Sequence, residues 1–195
     1  MSITFAGVAI MIAAYCAGSF PTASALGRLS GHDHNKEGSG NPGASNVWRT
    51  SGAAYGIVTV VIDVLKGLLP VIAALFLASR PWAAGAWAAA TMGHVVPIAR
   101  WRNGGKGVAT AGGGALGLYP IFALALIALF VVVVRLTKRA SVGSLTITLV
   151  LVAGVGFLHE HTAEVVAAVF VSGIIIFRHR ANIGRLLSGE ELRVG

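Results

Sequence analysis

Three segments rich in glycine, amide, hydroxyl and basic side chains interrupt an otherwise apolar chain. They cover Gly38–Arg49, Gly93–Gly107 and Arg178–Leu187, and we call them the first, second and third cassettes. Glycine permits close approach of the backbone to a ligand, and Asn, Ser, His, Lys and Arg side chains donate hydrogen bonds to anions. The cassettes are therefore predicted to bind phosphate.

The first cassette combines a permissive backbone with short hydrogen-bond donors and one arginine. The arginine guanidinium presents a planar fork that matches phosphate oxygens. The alternative is a flexible loop whose arginine only sets the membrane topology. The candidate ligands of this cassette are Gly38, Ser39, Gly40, Asn41, Asn46 and Arg49.

The second cassette contains Gly-Gly-Lys-Gly, which invites comparison with the P-loop of nucleotide-binding proteins. The P-loop signature requires glycine where Arg100 stands and serine or threonine where Gly107 stands, and it follows a β-strand. Apolar helical segments flank this cassette, so nucleoside triphosphate binding is not supported. Three glycines around Lys106 instead predict a backbone nest for anions at a helix start, the alternative being a hinge with one lysine. These glycines are Gly104, Gly105 and Gly107.

In the third cassette, His179 and Asn182 are three residues apart, which places both on one face of a helical turn. The neighbouring arginines suit them to donate to a shared anion, and the alternative is a basic tail that binds lipid head groups. His94, in the second cassette, fits a hydrogen-bonded packing residue and a site residue equally well.

Composition excludes several classes of function. Only 11% of the 195 residues are charged and 55% are hydrophobic, which is typical of a membrane protein. The basic residues lie at the ends of apolar segments without the interleaved aromatic residues that stack bases, so no nucleic acid is expected. The chain has no G-x-S-x-G motif, no H-x-x-x-x-D motif and no metal-ligand cluster. We expect neither a cofactor nor a metal.

The apolar segments must place all three cassettes on one side of a membrane. We predict an all-α polytopic bundle, a single integral-membrane domain over residues 1–195 with about seven transmembrane helices. The fourth segment is short and glycine-rich, so whether it crosses fully stays open. The predicted spans are Ile3–Leu26, Ala53–Ala78, Trp82–Ala99, Val108–Tyr119, Ile121–Leu136, Val142–Leu158 and Ala163–Phe177.

The basic residues also indicate the orientation. Thirteen of the 15 Lys and Arg residues follow the first, third, fifth and seventh spans. The positive-inside rule therefore places the N-terminus outside and the C-terminus in the cytoplasm. Asp63 and Lys66 lie three residues apart inside the second span and are expected to pair. Whether that pair locks helix packing or supports the polar site stays open.

Five motifs in order resemble those of the integral-membrane glycerol-3-phosphate acyltransferases that use acyl phosphate. They are GSFPTASALGR, GSGNPGASNVWRTSG, DVLKG, GHVVPIARWRNGGKGVAT and RHRANIGRLLSGEE, and they run from about Gly18 to Glu191. The resemblance implies a bacterial inner-membrane enzyme with its active site facing the cytoplasm. It would transfer an acyl chain from acyl phosphate to glycerol 3-phosphate, giving lysophosphatidic acid and inorganic phosphate. Membrane lipids and a soluble enzyme that produces acyl phosphate are the further expected partners.

The same resemblance implies roles for individual residues. Ser39 and Arg49 match the phosphate-binding pair of the family's first motif. Lys106 matches the lysine of the second motif, and His179 and Asn182 match the polar pair of the third. These five residues form the predicted catalytic set.

Three other positions are informative in the resemblance. Ser141 resembles a serine at the start of the sixth span that faces substrate phosphate. Asn103 stands where the family usually has a lysine before the glycines, which lowers the local positive charge. Ser45, followed by Asn46, replaces the family's usual threonine.

An acyl phosphate carries a good leaving group, so positioning and charge stabilisation can supply most of the acceleration without a covalent nucleophile. The base for the attacking hydroxyl stays open among His179, His94 and a phosphate oxygen of the substrate. The alternative function is a membrane transporter of phosphate or an organophosphate, which would show internal repeats that we do not find.

Overall fold

The computed structural model describes residues 2–98 and 104–194. Ten α-helices and no β-strand occur in these two ranges, which confirms the all-α prediction. The helices are α1 (Ile3–Gly18), α2 (Thr22–Ser30), α3 (Ala44–Ser51), α4 (Ala53–Leu77), α5 (Arg80–Val95), α6 (Val108–Leu118), α7 (Pro120–Thr137), α8 (Ala140–Leu158), α9 (Thr162–Arg178) and α10 (Arg180–Leu187).

Four helical segments of the described chain are long and apolar enough to cross a membrane, namely α1 with α2, α4, α7 and α8. A fifth is obtained when α9 and α10, which meet at 53°, count as one bent span. The helix α6 is apolar but only 11 residues long. The chain is therefore a multi-pass membrane protein, as predicted.

All seven predicted spans coincide with helices, although their ends differ by a few residues. The first corresponds to α1 and α2 together, and the fourth is the short α6. The third corresponds to α5, and its predicted end at Ala99 lies outside the described residues. The predictions that concern Arg100, Arg102 and Asn103 lie outside them as well.

The helix α5 occupies the centre of the bundle and packs against α1, α4, α6 and α9. Its buried face consists mainly of alanine, together with Trp87, which is fully buried. The Trp87 indole donates a hydrogen bond to the Ala111 carbonyl on α6 at 2.9 Å. Small residues let helix backbones approach closely, and this packing drives helix association in lipid.

Glycine brings two helix pairs into backbone contact. A Cβ atom at Gly93 on α5 would overlap the Tyr15 carbonyl on α1, and one at Gly67 on α4 would overlap the Thr110 carbonyl on α6. The C-terminal end of α5 and the N-terminal half of α6 are therefore each held close to a neighbouring backbone. These contacts fix the two helix ends that flank the segment before Lys106.

An ion pair with a buried carboxylate lies at the end of the bundle opposite the cassettes. Nε of Arg80, at the start of α5, lies 2.9 Å from Oε1 of Glu164 on α9. Tyr119, between α6 and α7, donates to the same carboxylate. These contacts tie the ends of three helices together, so the spacing of their cassette-bearing ends is fixed as well.

The predicted Asp63–Lys66 pair forms within α4. Nζ of Lys66 lies 2.7 Å from Oδ1 of Asp63 and 2.8 Å from the Phe20 carbonyl oxygen, and Thr22 donates to Asp63 at 2.9 Å. The pair thus holds the break between α1 and α2 against α4. Oδ1 of Asp63 also lies 3.8 Å from Nδ1 of His94, so the pair reaches the second cassette too.

Candidate active site

The three cassettes converge on one cavity of about 290 Å³. Its position, at the C-terminal ends of α5 and α9 and the N-terminal end of α6, is opposite the Arg80–Glu164 pair. Ten of the predicted site residues line it: Ser39, Asn41, Asn46, Arg49, His94, Lys106, Gly107, Ser141, His179 and Asn182.

Four predicted glycines lie beside this cavity without lining it. Gly38 and Gly40 belong to the loop before α3. Gly104 and Gly105 belong to the segment before α6. Direct contact of these four with a substrate stays a prediction. The structure shows instead how they shape the backbone around the cavity.

Asn46 organises the first cassette from within. Its Oδ1 accepts a hydrogen bond from the backbone N–H of Ser39 at 2.8 Å, and its Nδ2 donates to the carbonyls of His34 and Glu37, both at 3.0 Å. Gly38 adopts a φ of 60° there, and a Cβ atom at this position would overlap Asn46 Oδ1. The amide of Asn46 is therefore engaged in holding the loop, and Asn46 also lines the cavity.

Arg49, one helical turn after Asn46, presents its guanidinium to the cavity. Nη1 of Arg49 lies 3.4 Å from Oδ1 of Asn46, which orients the side chain without neutralising it. No carboxylate in the described part of the chain pairs with Arg49. Its charge is thus available to an anion.

The second cassette is pinned between α5 and α9. The backbone N–H of Gly105 donates to the His94 carbonyl at 3.1 Å, and a Cβ atom at Gly105 would overlap the His94 ring. From α9, Nη2 and Nε of Arg178 donate to the carbonyls of Gly104 at 2.6 Å and of Gly105 at 3.2 Å. The glycines are needed here for close approach, and they deliver Lys106 to the cavity wall.

Lys106 is a half-buried cation in this wall. Burial lowers the pKa of Lys106 to about 8, and although Glu191 opposes the shift, the charges of Arg185, Arg178 and Arg49 add to it. The protonated form of Lys106 is destabilised in the free protein, because its neighbours are mostly positive and few carboxylates lie nearby. A bound anion would remove that cost.

His179, at the junction of α9 and α10, has one ring nitrogen committed to the fold. Its Nδ1 lies 2.8 Å from the Ile175 carbonyl oxygen, and the side chain is only 2% exposed. A carbonyl only accepts hydrogen bonds, so Nδ1 carries a proton and Nε2 is the nitrogen left for a ligand.

Glu191 is a site residue that the sequence reasoning missed. Oε1 of Glu191 accepts from Nδ2 of Asn182 at 2.6 Å, and Oε2 accepts from Nε of Arg185 at 2.9 Å. Burial works against ionisation of Glu191, but the Ser141 hydroxyl, Asn182 and Arg185 outweigh it and lower the pKa of the carboxyl. Glu191 therefore orients donors of the third cassette as a carboxylate.

The C-terminal tail brings Glu191 into place. After α10 the chain turns at Gly189, with a φ of 79°, and the N–H of Val194 donates to the Lys138 carbonyl between α7 and α8 at 2.8 Å. The sequence does show an acidic residue soon after the basic third cassette. The residues that Glu191 contacts, however, are determined by this turn.

The part of the cavity away from the cassettes is apolar. Side chains of α4, α6, α7 and α8 form this part of the wall. They are Val60, Val64, Leu116, Ile127, Phe130 and Ile147. One continuous cavity thus joins a cationic mouth to an apolar interior.

Known proteins share this chain's sequence pattern. Residues 8–189 match the family model described as glycerol-3-phosphate acyltransferase. A glycerol-3-phosphate acyltransferase of Thioalkalivibrio sulfidiphilus is 41% identical over 189 residues, which cover 96% of this chain and 93% of that protein. This chain belongs to the glycerol-3-phosphate acyltransferase family.

Solved structures agree with the acyltransferase assignment. The glycerol 3-phosphate form of PlsY (YgiH), an integral membrane glycerol 3-phosphate acyltransferase, matches with a TM-score of 0.93 and 32% identity, covering 97% of this chain and 96% of that one. Its lysophosphatidic acid form matches with a TM-score of 0.90 at the same identity, covering 97% and 95%. The predicted family is confirmed, the protein is an acyltransferase, and these matches give no support to the transporter alternative.

The role of Asn46 in holding the loop before α3 is testable by shortening its side chain. Asn46→Ala leaves the Ser39 N–H and two carbonyls without their partner, so we expect the free energy of unfolding to fall by about 1–3 kcal/mol. Faster proteolysis of the loop before α3 should accompany this loss. Unfolding in detergent and limited proteolysis measure the two effects.

Asn41→Ala is the matched control, since the Asn41 amide makes no hydrogen bond to any described residue and its loss should change stability by less than about 0.5 kcal/mol. Equal behaviour of the two variants would contradict the role given to Asn46.

Proposed function

We propose that this protein transfers an acyl chain from an acyl phosphate to glycerol 3-phosphate, releasing inorganic phosphate and lysophosphatidic acid. The single observation that carries the proposal is the continuity of the cavity, whose cationic mouth opens into an apolar interior. An acyl phosphate has this same polarity, with an anionic head on an apolar chain. Glycerol 3-phosphate adds a second anion, which suits a mouth with several cations.

We assign phosphate-binding roles to polar groups that line the cavity. Arg49 and Lys106 supply charge that no described carboxylate pairs with directly, and Ser39 adds a hydroxyl donor beside Arg49. On the other wall, Asn182 is oriented by Glu191 and the buried Ser141 hydroxyl also lies by that carboxylate, while the unprotonated Nε2 of His179 is a hydrogen-bond acceptor. We assign the two walls to the two phosphate groups.

The reaction needs no covalent intermediate. The hydroxyl oxygen of glycerol 3-phosphate forms a bond to the acyl carbonyl carbon, the bond from that carbon to the phosphate oxygen breaks, and phosphate leaves with the electron pair. Cations placed around the leaving group stabilise its developing charge in a site partly shielded from water. Cys16, a potential nucleophile, is exposed on α1 and does not line the cavity.

The proton of the attacking hydroxyl passes to a phosphate oxygen of the substrate in this proposal. His179 is disfavoured as the base because its burial, and then the nearby charges of Lys106 and Arg178, oppose its protonation. His94 lies behind the second cassette, with its ring against Gly105 and its Nδ1 towards Asp63. His179 then accepts a hydrogen bond from a substrate hydroxyl group at Nε2, and His94 serves as a packing residue.

We further propose that the chain is one integral-membrane domain of the bacterial inner membrane, with seven crossings, an outside N-terminus and a cytoplasmic active site. A helix exists for each predicted span, and most basic residues of the described chain follow the first, third, fifth and seventh of these helices in the sequence. This placement exposes the site to membrane lipids and to a soluble enzyme that produces acyl phosphate. Thiol labelling of Glu160→Cys and Glu190→Cys in a Cys16→Ala background, in intact and opened cells, tests the orientation.

Purified protein in lipid vesicles, given acyl phosphate and glycerol 3-phosphate, should release phosphate and form lysophosphatidic acid in equal amounts.

Arg49→Ala should lower kcat/KM for glycerol 3-phosphate by about 10- to 100-fold, because a hydrogen bond to a charged group contributes roughly 1.5–3 kcal/mol. Arg28→Ala, which removes an exposed arginine outside the cavity, is the control and should retain wild-type kinetics. Wild-type protein without transfer activity would refute the proposed function.

The pH dependence should follow the charge of Lys106. Because the pKa of Lys106 is lowered to about 8, the lysine is charged below this pH and loses its charge above it. The kcat/KM for glycerol 3-phosphate, which reports the free enzyme and substrate, should therefore fall as pH rises through about 8. Lys106→Arg should shift that decline to higher pH, since a guanidinium stays protonated. An identical alkaline decline in both proteins would exclude Lys106 as its source.

A further inference from the structure

The helix α6 carries four glycines, and one of them differs from the others. A Cβ atom at Gly112 would meet no described atom within 4 Å, and Gly112 lines the cavity. The other three are tightly packed: a Cβ atom would meet the Val64 carbonyl at Gly113, the Trp87 indole at Gly114 and the Val71 side chain at Gly117. Packing therefore explains three of the glycines but not Gly112.

Gly112 lies where the cavity changes from polar to apolar. At 1.5 Å per residue it is roughly 6 Å along the helix axis from Val108, near the cationic mouth, and Leu116 is roughly 6 Å further inward. These positions share one face of α6, towards Ile127 and Phe130 of α7 and Ile147 of α8. A side chain at position 112 would project into the passage between mouth and interior.

We infer that Gly112 determines which acyl chains fit, by keeping this passage wide enough for a long chain to enter the apolar interior. The inference rests on the proposed acyl phosphate donor, and it adds a residue that sets specificity rather than one that binds phosphate. A larger residue would exclude the methylene groups that lie beyond the passage. Each methylene left unburied lowers binding by about fourfold. A short chain that ends before the passage would lose little.

The test compares donors of two lengths, palmitoyl phosphate and butanoyl phosphate, in the same preparation of each variant. Gly112→Leu should lower the ratio of kcat/KM for the long donor to that for the short donor by at least about tenfold, the effect of roughly two excluded methylene groups. Gly112→Ala should lower it by less, in the order of side-chain size. Leucine and alanine both favour helix over glycine, so α6 itself is not weakened.

Gly173→Leu is the matched control, because Gly173 is an exposed glycine of α9 with open space around it and no place in the cavity wall. It should leave the ratio within about twofold of wild type. The rate with butanoyl phosphate shows that each variant is folded, and thermal unfolding in detergent confirms it.

Three outcomes separate the claims. A ratio that falls only in the Gly112 variants supports the inference. A ratio unchanged in Gly112→Leu, or equal losses with both donors, overturns it while leaving the proposed function intact. Wild-type protein that transfers neither acyl chain overturns the proposed function itself.

Discussion

The rest of the structure depends on one constraint. Positive charge is held at one end of an apolar helix bundle that has too few carboxylates there to neutralise it. Arg49 and Lys106 face the cavity without a paired carboxylate in the described chain, and Glu191 is already engaged by Arg185 and Asn182. Burying unpaired charge is costly, and the lowered pKa of Lys106 reflects that cost. An anion bound there would remove that cost.

Cations that repel one another stay together because the backbone around them is fixed by other groups. Asn46 holds the first cassette, Arg178 clamps the two glycines before Lys106, and Glu191 orients the third cassette from the returning tail. At the far end, the Arg80–Glu164 pair fixes the helices that carry these segments. The site is thus preorganised by contacts between groups of the protein, which is the condition for electrostatic stabilisation of a transition state.

Much of this arrangement was predictable because it depends on local composition. A helix stands at each predicted apolar run, and nine of the site residues predicted in the cassettes, together with Ser141, line one cavity. What was missed depends on tertiary contacts. The amide of Asn46 finds its partners only when the loop before α3 folds back, and the carboxylate of Glu191 only when the C-terminal tail does. The spacing of residues in the sequence does not predict either contact. The packing roles of Gly104 and Gly105 likewise become visible only with α9 in place.

The central claim is that the converging cassettes hold both substrates at once, so that the acyl group passes directly between them. Initial-rate kinetics with acyl phosphate and glycerol 3-phosphate both varied test this most directly. Direct transfer through a ternary complex predicts double-reciprocal lines that intersect. Parallel lines, together with acylated protein trapped in the absence of glycerol 3-phosphate, would show a covalent intermediate and contradict the account.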